Sequence, residues 1–342
     1  MCKGLSPATF RGCKELVSVE FPEDFESFGD AVFANCDGLT SITLPDSVEV
    51  IGNGIFENCA NLTSIRIPFV GFGVDEIENT HFGYIFGAQD YTQNKSKVPP
   101  SLKTVVITKG TKIDSSAFRD CTSLTSVVIP DSVTSIGGSA FSGCTALTAV
   151  DIPDSVETVL QRAFFGCSSL TSVTIGNGVT SIGSSAFENC SSLTSVTIPS
   201  SVITIGDSTF FNCTSLQSVT ISDSVESIDR FTFNHCRNLT SVTFLGNNTA
   251  SVKPYVFNYD AIVDFKYVKP IPEGDNFPYG ASLSSTRTFI GLTDMDFLGF
   301  TFNGLHSYLD LGVYRVISGD RYTEDLSPEK QDITADVPGG NG

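Results

Sequence analysis

Cysteine is the residue type whose number and spacing in this chain could support chemistry. A row of thiols can form disulfides or hold a metal ion, and a thiol beside a histidine, as in His235-Cys236, can act as a nucleophile. Nine of the ten cysteines fall into two runs with a spacing of 23 residues. They are Cys13, Cys36 and Cys59, then Cys121, Cys144, Cys167, Cys190, Cys213 and Cys236.

The spacing argues against all three kinds of chemistry. Stacked coils place equivalent Cα atoms about 4.8 Å apart, but in-register side chains point the same way, whereas a disulfide needs converging Cβ vectors. The Cys-x-x-Cys pairs typical of metal sites are absent from the sequence. Adjacent residues in a turn point apart, and no other cysteine of the two runs follows a histidine, which favours a structural Cys236. We therefore expect buried free thiols that act as small apolar residues.

Other residues keep fixed distances from each of these cysteines. Phenylalanine stands three residues before and leucine three residues after, and branched or aromatic residues follow at offsets of six and eight, usually before a proline. A period of this length is typical of stacked repeats that share one core with their neighbours. In the unit that begins at Cys190, residues 193–198 predict a strand, residues 202–205 predict a second short extended piece, and a single helical or 3₁₀ turn is expected near Phe210.

The run Phe-x-x-Cys-x-x-Leu-x-x-Val-x-Ile-Pro, followed by Val and Ile-Gly, resembles the BspA-like class of leucine-rich repeats over about residues 6–245. The resemblance implies an α/β leucine-rich-repeat solenoid that is strand-dominated and right-handed, with short 3₁₀ or helical turns. It also implies an extracellular or cell-surface protein that adheres to host or matrix molecules. The expected partner is a protein or glycan surface ligand.

The period predicts a solenoid over residues 1–269, and it is broken in two places. Between Cys59 and Cys121 the chain takes 62 residues where two periods would take 46, and the surplus lies in an insertion at 69–100. At the other end, residues 246–269 predict a degenerate closing coil, because Phe265 and Tyr267 keep the strand offsets. Eleven stacked coils would extend over about 50 Å.

The insertion is rich in aromatic residues. Insertions in solenoids emerge as loops and often form part of the binding surface. Phe72, His81, Tyr84 and Tyr91 are therefore candidate ligand contacts. In the alternative interpretation, Phe82 or Phe86 replaces the repeat phenylalanine and the rest of the insertion is a spacer.

Serine and threonine fill the two outward positions of the first strand in many coils. Such rows can contact sugars or peptides, but they also suit any solvated strand face. Glu20, Arg66 and Asp151 depart from the pattern and are better candidates for specific contacts. The rows comprise Ser41 and Thr43, Ser172 and Thr174, Ser195 and Thr197, Ser218 and Thr220, and Ser241 and Thr243.

Composition excludes several classes of function. The formal charge of −18 disfavours nucleic-acid binding, which needs concentrated Lys and Arg. No apolar run approaches the length of a membrane span, and the N-terminus lacks the shape of a signal peptide. The first unit also lacks its beginning, so we expect a fragment or an unusual gene boundary.

The three histidines, His81, His235 and His306, lie in different settings, and no catalytic or phosphate-binding motif accompanies them. We expect a non-catalytic protein without a cofactor or a metal site.

The C-terminal part differs in composition from the repeats. Residues 270–291 are rich in Pro, Gly and Ser and predict a linker, and residues 292–342 predict an incomplete β-rich domain. Its Phe-Thr-Phe-Asn-Gly-Leu-His-Ser run, 300–307, and the later Val337-Pro338-Gly339 resemble the start of the distal tail protein family of long-tailed bacteriophages. This resemblance implies a second hypothesis, a structural component of a virion tail that contacts phage tail proteins and carries the repeats as a host-adhesion or spacer module. An unrelated β-rich attachment domain is the other interpretation of the segment.

Overall fold

Parallel strands dominate the computed structural model, which describes residues 3–74, 76–245, 250–253 and 255–257 and the strands at 264–267, 288–290 and 315–317. Each regular coil contributes a first strand of three or four residues and a second strand of two residues. In chain order the strands are β1 (Gly4–Leu5), β2 (Ser27–Phe28), β3 (Ser41–Thr43), β4 (Val50–Ile51), β5 (Ser64–Ile67), β6 (Thr104–Ile107), β7 (Lys112–Ile113), β8 (Ser126–Val128), β9 (Ser135–Ile136), β10 (Ala149–Ile152), β11 (Thr158–Val159), β12 (Ser172–Ile175), β13 (Ser181–Ile182), β14 (Ser195–Ile198), β15 (Thr204–Ile205), β16 (Ser218–Ile221), β17 (Ser227–Ile228), β18 (Ser241–Phe244), β19 (Ser251–Val252), β20 (Asp264–Tyr267), β21 (Thr288–Ile290) and β22 (Arg315–Ile317).

The two kinds of strand stack into two series of parallel ladders along the solenoid. In the first series Ser195 pairs with Ser218 and Ile198 with Ile221, and in the second series Ser181 pairs with Thr204, so each partner lies one period away. The second series is unbroken from β7 to β19. The first series is divided into β3-β5-β6-β8, β10-β12 and the sheet that begins at β14. The predicted strand-dominated solenoid is therefore confirmed. In the unit that begins at Cys190, β14 and β15 lie inside the two segments, 193–198 and 202–205, that the sequence predicts to be extended.

A tight turn closes each coil around the phenylalanine and the cysteine. The Cys190 N–H donates to the Phe187 carbonyl at 3.2 Å and the Leu193 N–H donates to the Cys190 carbonyl at 3.1 Å, which are bonds of the 3₁₀ type. Asn189 has a positive φ of 62°, and left-handed residues of this kind stop the turn from continuing as a helix. Neighbouring turns also bond to each other, since the Phe187 N–H donates to the Thr209 carbonyl at 2.8 Å.

The repeat phenylalanines form one column through the core. From Phe118 to Phe233 the successive rings are stacked, with centroids 5.0 to 5.5 Å apart and planes within 5° of parallel. The leucines of the same coils are buried beside them, as are the inward-facing residues of both strands. Alternation of buried and exposed residues puts the second and fourth residues of first strands such as β14 and β16 in this core.

The insertion contains the helices found among the described residues. They are the 3₁₀ helices Phe82–Phe86 and Tyr91–Gln93 and a one-turn α-helix, Asn94–Lys97. Because β5 and β6 pair directly in register, the extra residues do not interrupt the first series. The second series does change there, where an isolated bridge joins Val50 to Gly73.

Three strands near the C-terminus extend the sheet that begins at β14. β20 pairs in parallel with β18, placing Phe265 opposite Val242, and β21 and β22 then add antiparallel strands. The remaining residues of the predicted linker 270–291 and of the predicted domain 292–342 lie outside the described residues, so that division stays a prediction.

Candidate ligand-binding surface

The outward side of the first strands forms one polar surface, which we call the strand face. In β14 Ser195 and Thr197 are exposed while Val196 and Ile198 are buried, and β10 and β3 show the same alternation. Hydroxyl groups along this surface can each donate and accept a hydrogen bond. The strand face therefore presents many short polar groups on a rigid backbone.

Arg66 and Asp151 both lie on the strand face. Ladder register places Arg66 beside Val106, and Val106 beside Val128, whose side chain is 48% exposed. Asp151 pairs with Thr174, and the Thr174 hydroxyl donates to its carboxylate at 2.7 Å. The face thus carries a cation, an apolar patch and a carboxylate among its hydroxyls.

Glu20, the third predicted position of this kind, is exposed in a segment that forms no strand. It occupies the corresponding point of the unit that begins at Cys13, one period before Thr43. The structure therefore brings Arg66 and Asp151 onto one ladder surface and leaves Glu20 outside the paired strands.

Two shallow depressions lie along the strand face. The first has a volume of about 310 Å³ and contains charged groups; its lining residues are Glu23, Thr43, Leu44, Pro45, Asp46, Ser47 and Arg66. The second has a volume of about 370 Å³ and lies between β12 and β14; its lining residues are Ser172, Val173, Thr174, Ile175, Asn177, Ser195, Val196, Thr197 and Pro199. Sequence reasoning identified Arg66 but missed the second depression, although Gly176-Asn177-Gly178 replaces the usual proline turn there.

Most of the candidate residues in the insertion point inward. His81 and Tyr84 are only 7% and 9% exposed, and Phe72 is partly buried against the core. Tyr91 is 39% exposed, and the Arg119 guanidinium lies 5.5 Å from its ring centroid. Of these four residues, Tyr91 is the one that a ligand could contact over a large area of side chain.

Phe82 and Phe86 together take the place of the repeat phenylalanine. The Phe56 N–H of the preceding coil donates to the carbonyl before Phe86 at 2.9 Å, and the Phe82 N–H donates to the carbonyl before Phe118 at 2.8 Å. Both rings are buried, and they contact each other with centroids 5.3 Å apart. Phe82 and Phe86 thus share the position of the repeat phenylalanine, which supports that part of the alternative interpretation of the insertion.

The repeat region matches a known family in sequence. The sequence model of the BspA type leucine rich repeat region, in six copies, matches residues 3–96, 99–202 and 180–275. The chain belongs to the BspA-type leucine-rich repeat family. Leucine-rich repeat proteins generally mediate protein binding or adhesion and are typically non-catalytic. No protein with a curated function matches the chain in sequence.

Several solved structures are similar to this BspA-type protein. A leucine-rich repeat protein of Treponema pallidum is 33% identical, covering 42% of this chain and 73% of its own, with a TM-score of 0.39. One from Bacteroides ovatus is 25% identical, covering 75% and 73%, with a TM-score of 0.42. A leucine rich cell surface protein of Faecalibacterium prausnitzii is 22% identical, covering 71% and 69%, with a TM-score of 0.35. All three TM-scores are below 0.5, so the family assignment rests on the repeat match.

The cysteines of the BspA-type coils are structural. Among the nine described cysteines all are free and eight are buried, which confirms the expectation of buried thiols, while Cys13 is exposed. Seven of the buried thiols also donate from Sγ to the carbonyl of a repeat phenylalanine in the preceding coil, over 3.0 to 3.3 Å. The residue at this position is thus both a small apolar side chain and a weak donor.

Burial holds most of these thiols in the protonated form. It raises the pKa of the Cys59 and Cys167 thiols to about 12, and it also raises the pKa of Cys144, Cys190 and Cys213. A thiol is a poor nucleophile and a poor metal ligand in its protonated form. Among the residues that the structure describes, no group of three His, Cys, Asp or Glu side chains could hold a metal ion.

His235 has a structural explanation as well. It stands immediately before Cys236 at the turn position with positive φ, where the other described coils carry Gly, Asn or Asp, and its own φ is 62°. Histidine tolerates this conformation better than most residues. Its ring packs against Phe211 with centroids 4.8 Å apart, while the Cys236 thiol donates to the Phe210 carbonyl at 3.1 Å.

No helix in the described part of the chain combines the length and the apolar character that a membrane span requires.

Proposed function

We propose that this BspA-type protein is a non-catalytic binding protein of the cell surface or extracellular space that holds a protein or glycan surface ligand on its strand face. The observation that carries the proposal is the exposed ladder surface on which Arg66, Val128 and Asp151 interrupt rows of hydroxyls. Exposed charged and apolar groups on a rigid scaffold are what a specific interface requires.

Other features of the family support the proposal. Solenoids use extended surfaces built from equivalent positions of successive coils to bind their partners. The family assignment favours binding or adhesion, and a similar protein of Faecalibacterium prausnitzii is described as a cell surface protein. Tyr91, next to Arg119 on the insertion, is a second exposed position for contacts.

The test uses the full chain immobilised on a biosensor and a panel of extracellular matrix proteins and neutral polysaccharides. Arg66→Glu combined with Asp151→Lys should weaken capture of a bound partner by about tenfold or more, since reversed charges repel their former partners. The matched control is Glu157→Lys with Arg162→Glu, which changes two exposed residues outside the first strands. This pair of substitutions also leaves the net charge the same. Equal loss in both variants, or capture of no member of the panel, would contradict the proposal.

A second candidate function rests on the C-terminal sequence. The Phe-Thr-Phe-Asn-Gly-Leu-His-Ser run at 300–307 favours a structural part of a phage tail, with the solenoid as an adhesion or spacer module. These residues lie outside the described part of the chain. Neighbouring genes for tail tape-measure and baseplate proteins would support this role, and a neighbouring sortase or secretion cassette would contradict it.

A further inference from the structure

The coils that begin at Cys167 and Cys190 separate on one side. β12 pairs with β10, and β14 pairs with β16, each over four residues, but no ladder joins β12 to β14. On the other side of the same two coils, β13 and β15 remain paired, and the rings of Phe187 and Phe210 stack with centroids 5.4 Å apart. The gap therefore opens only toward the strand face.

Two glycines accompany the separation. Where neighbouring coils have Pro153 and Pro199, this coil has Gly176, and a Cβ there would lie 2.4 Å from the Pro153 carbonyl oxygen. A Cβ on Gly178 would lie 1.9 Å from the Asp154 carbonyl oxygen. The absence of both side chains lets this segment approach the preceding coil, and the N–H of Asn177 donates to the Asp154 carboxylate at 2.6 Å.

The next coil shows the consequence at Ser201. In three other coils the equivalent hydroxyl donates to a carbonyl of the preceding coil, at 2.7 Å for Ser47 and Ser155 and 2.9 Å for Ser224. The buried Ser201 Oγ has no hydrogen-bond partner among the described residues. A buried hydroxyl without a partner costs free energy, so the gap is maintained against a local penalty.

The core is also uncovered at this point. Val173 is only partly buried, whereas its equivalents Val150, Val196 and Val219 are 2%, 3% and 1% exposed. The outcome is the depression of about 370 Å³ between β12 and β14, which we call the β12–β14 crevice. Its floor is aliphatic, and its rim carries hydroxyls and an amide.

We propose that the β12–β14 crevice binds one neutral sugar unit of a glycan ligand. The proposal rests on the proposed function and names the ligand class for one site on the strand face. None of the residues that line the crevice is ionisable, and the carboxylates beside it, Asp151 and Asp154, accept hydrogen bonds from Thr174 and Asn177. An anionic peptide group therefore finds no opposite charge there, and the hydroxyls and the amide of the rim suit a neutral ligand. Hydroxyls of Ser172, Ser195 and Thr197 can each donate to and accept from a sugar hydroxyl.

The details of the crevice suit this ligand. The Thr174 hydroxyl donates to Asp151, which leaves its oxygen to accept a hydrogen bond from a ligand. Val173, which is partly buried, offers an aliphatic surface for the C–H groups of a sugar ring, and Val196 also lines the crevice. A volume of about 370 Å³ lies at the lower end of the range for small-ligand sites, as expected for a single unit.

The first test is a titration of the full chain, labelled at Val, Ile and Thr methyl groups, followed by NMR. The probes are methyl glycosides of neutral hexoses and N-acetylhexosamines. Saturable shifts at the methyl groups of Val173 and Val196, without shifts at Val219 and Val242, are expected. Absence of shifts with every probe, or equal shifts at all four valines, would overturn the proposal.

The second test uses matched double variants. Ser172→Ala with Ser195→Ala should weaken sugar binding by about tenfold, because two hydrogen bonds are lost. Ser218→Ala with Ser241→Ala removes the same groups from the paired strands β16 and β18 and should leave binding unchanged. Equal weakening in both variants would contradict a site at the crevice.

The two proposals fail in different ways. If the Arg66 and Asp151 charge reversals abolish capture of a macromolecular ligand while no sugar shifts Val173, the strand face is the binding surface and the sugar assignment is wrong. Shifts at Val173 caused by a neutral peptide and not by any sugar would likewise overturn the assignment.

Discussion

The regular coils and the insertion reach the same degree of burial by different means. Between Phe118 and Phe233 each ring lies parallel to the next, and the ladder of second strands runs through these coils without a break. Around the insertion, Phe56 meets Phe86 at 45° over 6.3 Å, and Phe82 meets Phe118 at 35° over 4.8 Å. The comparison shows that an aromatic ring must fill the core at every coil. The rings stack in parallel only where regular coils lie on both sides.

Polar groups differ between the two regions as well. In the regular coils, backbone groups and the repeated cysteine thiols supply the bonds between turns. The insertion also has backbone bonds to its neighbouring turns, and it adds one buried side chain, Asn94, which accepts from the Gly83 N–H at 2.9 Å and donates to the carbonyls of Ala117 and Arg119. It also buries His81 without a hydrogen-bond partner for either ring nitrogen among the described residues. The polar bonds of the regular region thus recur from coil to coil, while three bonds of the insertion are made by a single side chain.

The largest effect is expected from a break in the phenylalanine column. Phe187→Ala removes a fully buried ring that stacks on Phe164 and Phe210, at 5.1 and 5.4 Å, and should lower the free energy of unfolding by about 3–5 kcal/mol. Chemical denaturation followed by circular dichroism measures the change. Ser184→Ala, at an exposed position of the same turn, is the control and should change stability by less than about 0.5 kcal/mol. Similar values for the two variants would show that the ring column does not hold the coils together.

A smaller but more local effect is expected at Asn94. Asn94→Ala removes the acceptor of the Gly83 N–H and the side-chain donor to the Arg119 carbonyl, and should cost about 1–3 kcal/mol. Hydrogen exchange of the amides in the insertion should rise with the loss of stability, while exchange in β14 to β18 should change less, because each coil contacts only its neighbours. Lys95→Ala, at the adjacent exposed position, is the control. A uniform rise in exchange along the whole solenoid would contradict a local role for Asn94.

The sequence predicts the regular coils well because the same spacing of Phe, Cys and Leu recurs in each of them. Spacing alone identified the buried cysteines, the inward Val196 and Ile198, and the exposed Ser195 and Thr197. Spacing could not decide whether Phe82 or Phe86 replaces the repeat phenylalanine, because the insertion has no repeat period of its own. The answer depends on how the two neighbouring coils pack against it. The β12–β14 crevice was missed for a similar reason. Gly176 and Gly178 lie close to the backbone of the preceding coil, and that distance cannot be read from the sequence of their own unit.

His81 offers the finest test of the contrast between the two regions. Burial lowers its pKa, against weaker opposing effects of the Asn94 amide and the Asp90 carboxylate. The unfolded chain therefore binds a proton near the ordinary pKa of 6.5 that the folded insertion resists, so the free energy of unfolding should fall as the pH is lowered below that value. The fall cannot exceed about 1.4 kcal/mol per pH unit for a single group. His81→Leu places an apolar side chain against Tyr84 and removes the titrating imidazole, while the other titrating groups stay the same. Denaturation from about pH 7.5 to about pH 5.5 should show wild-type stability falling relative to this variant. Parallel curves would mean that the insertion accommodates the charged ring, and that its buried polar groups are as well supported as those of the regular coils.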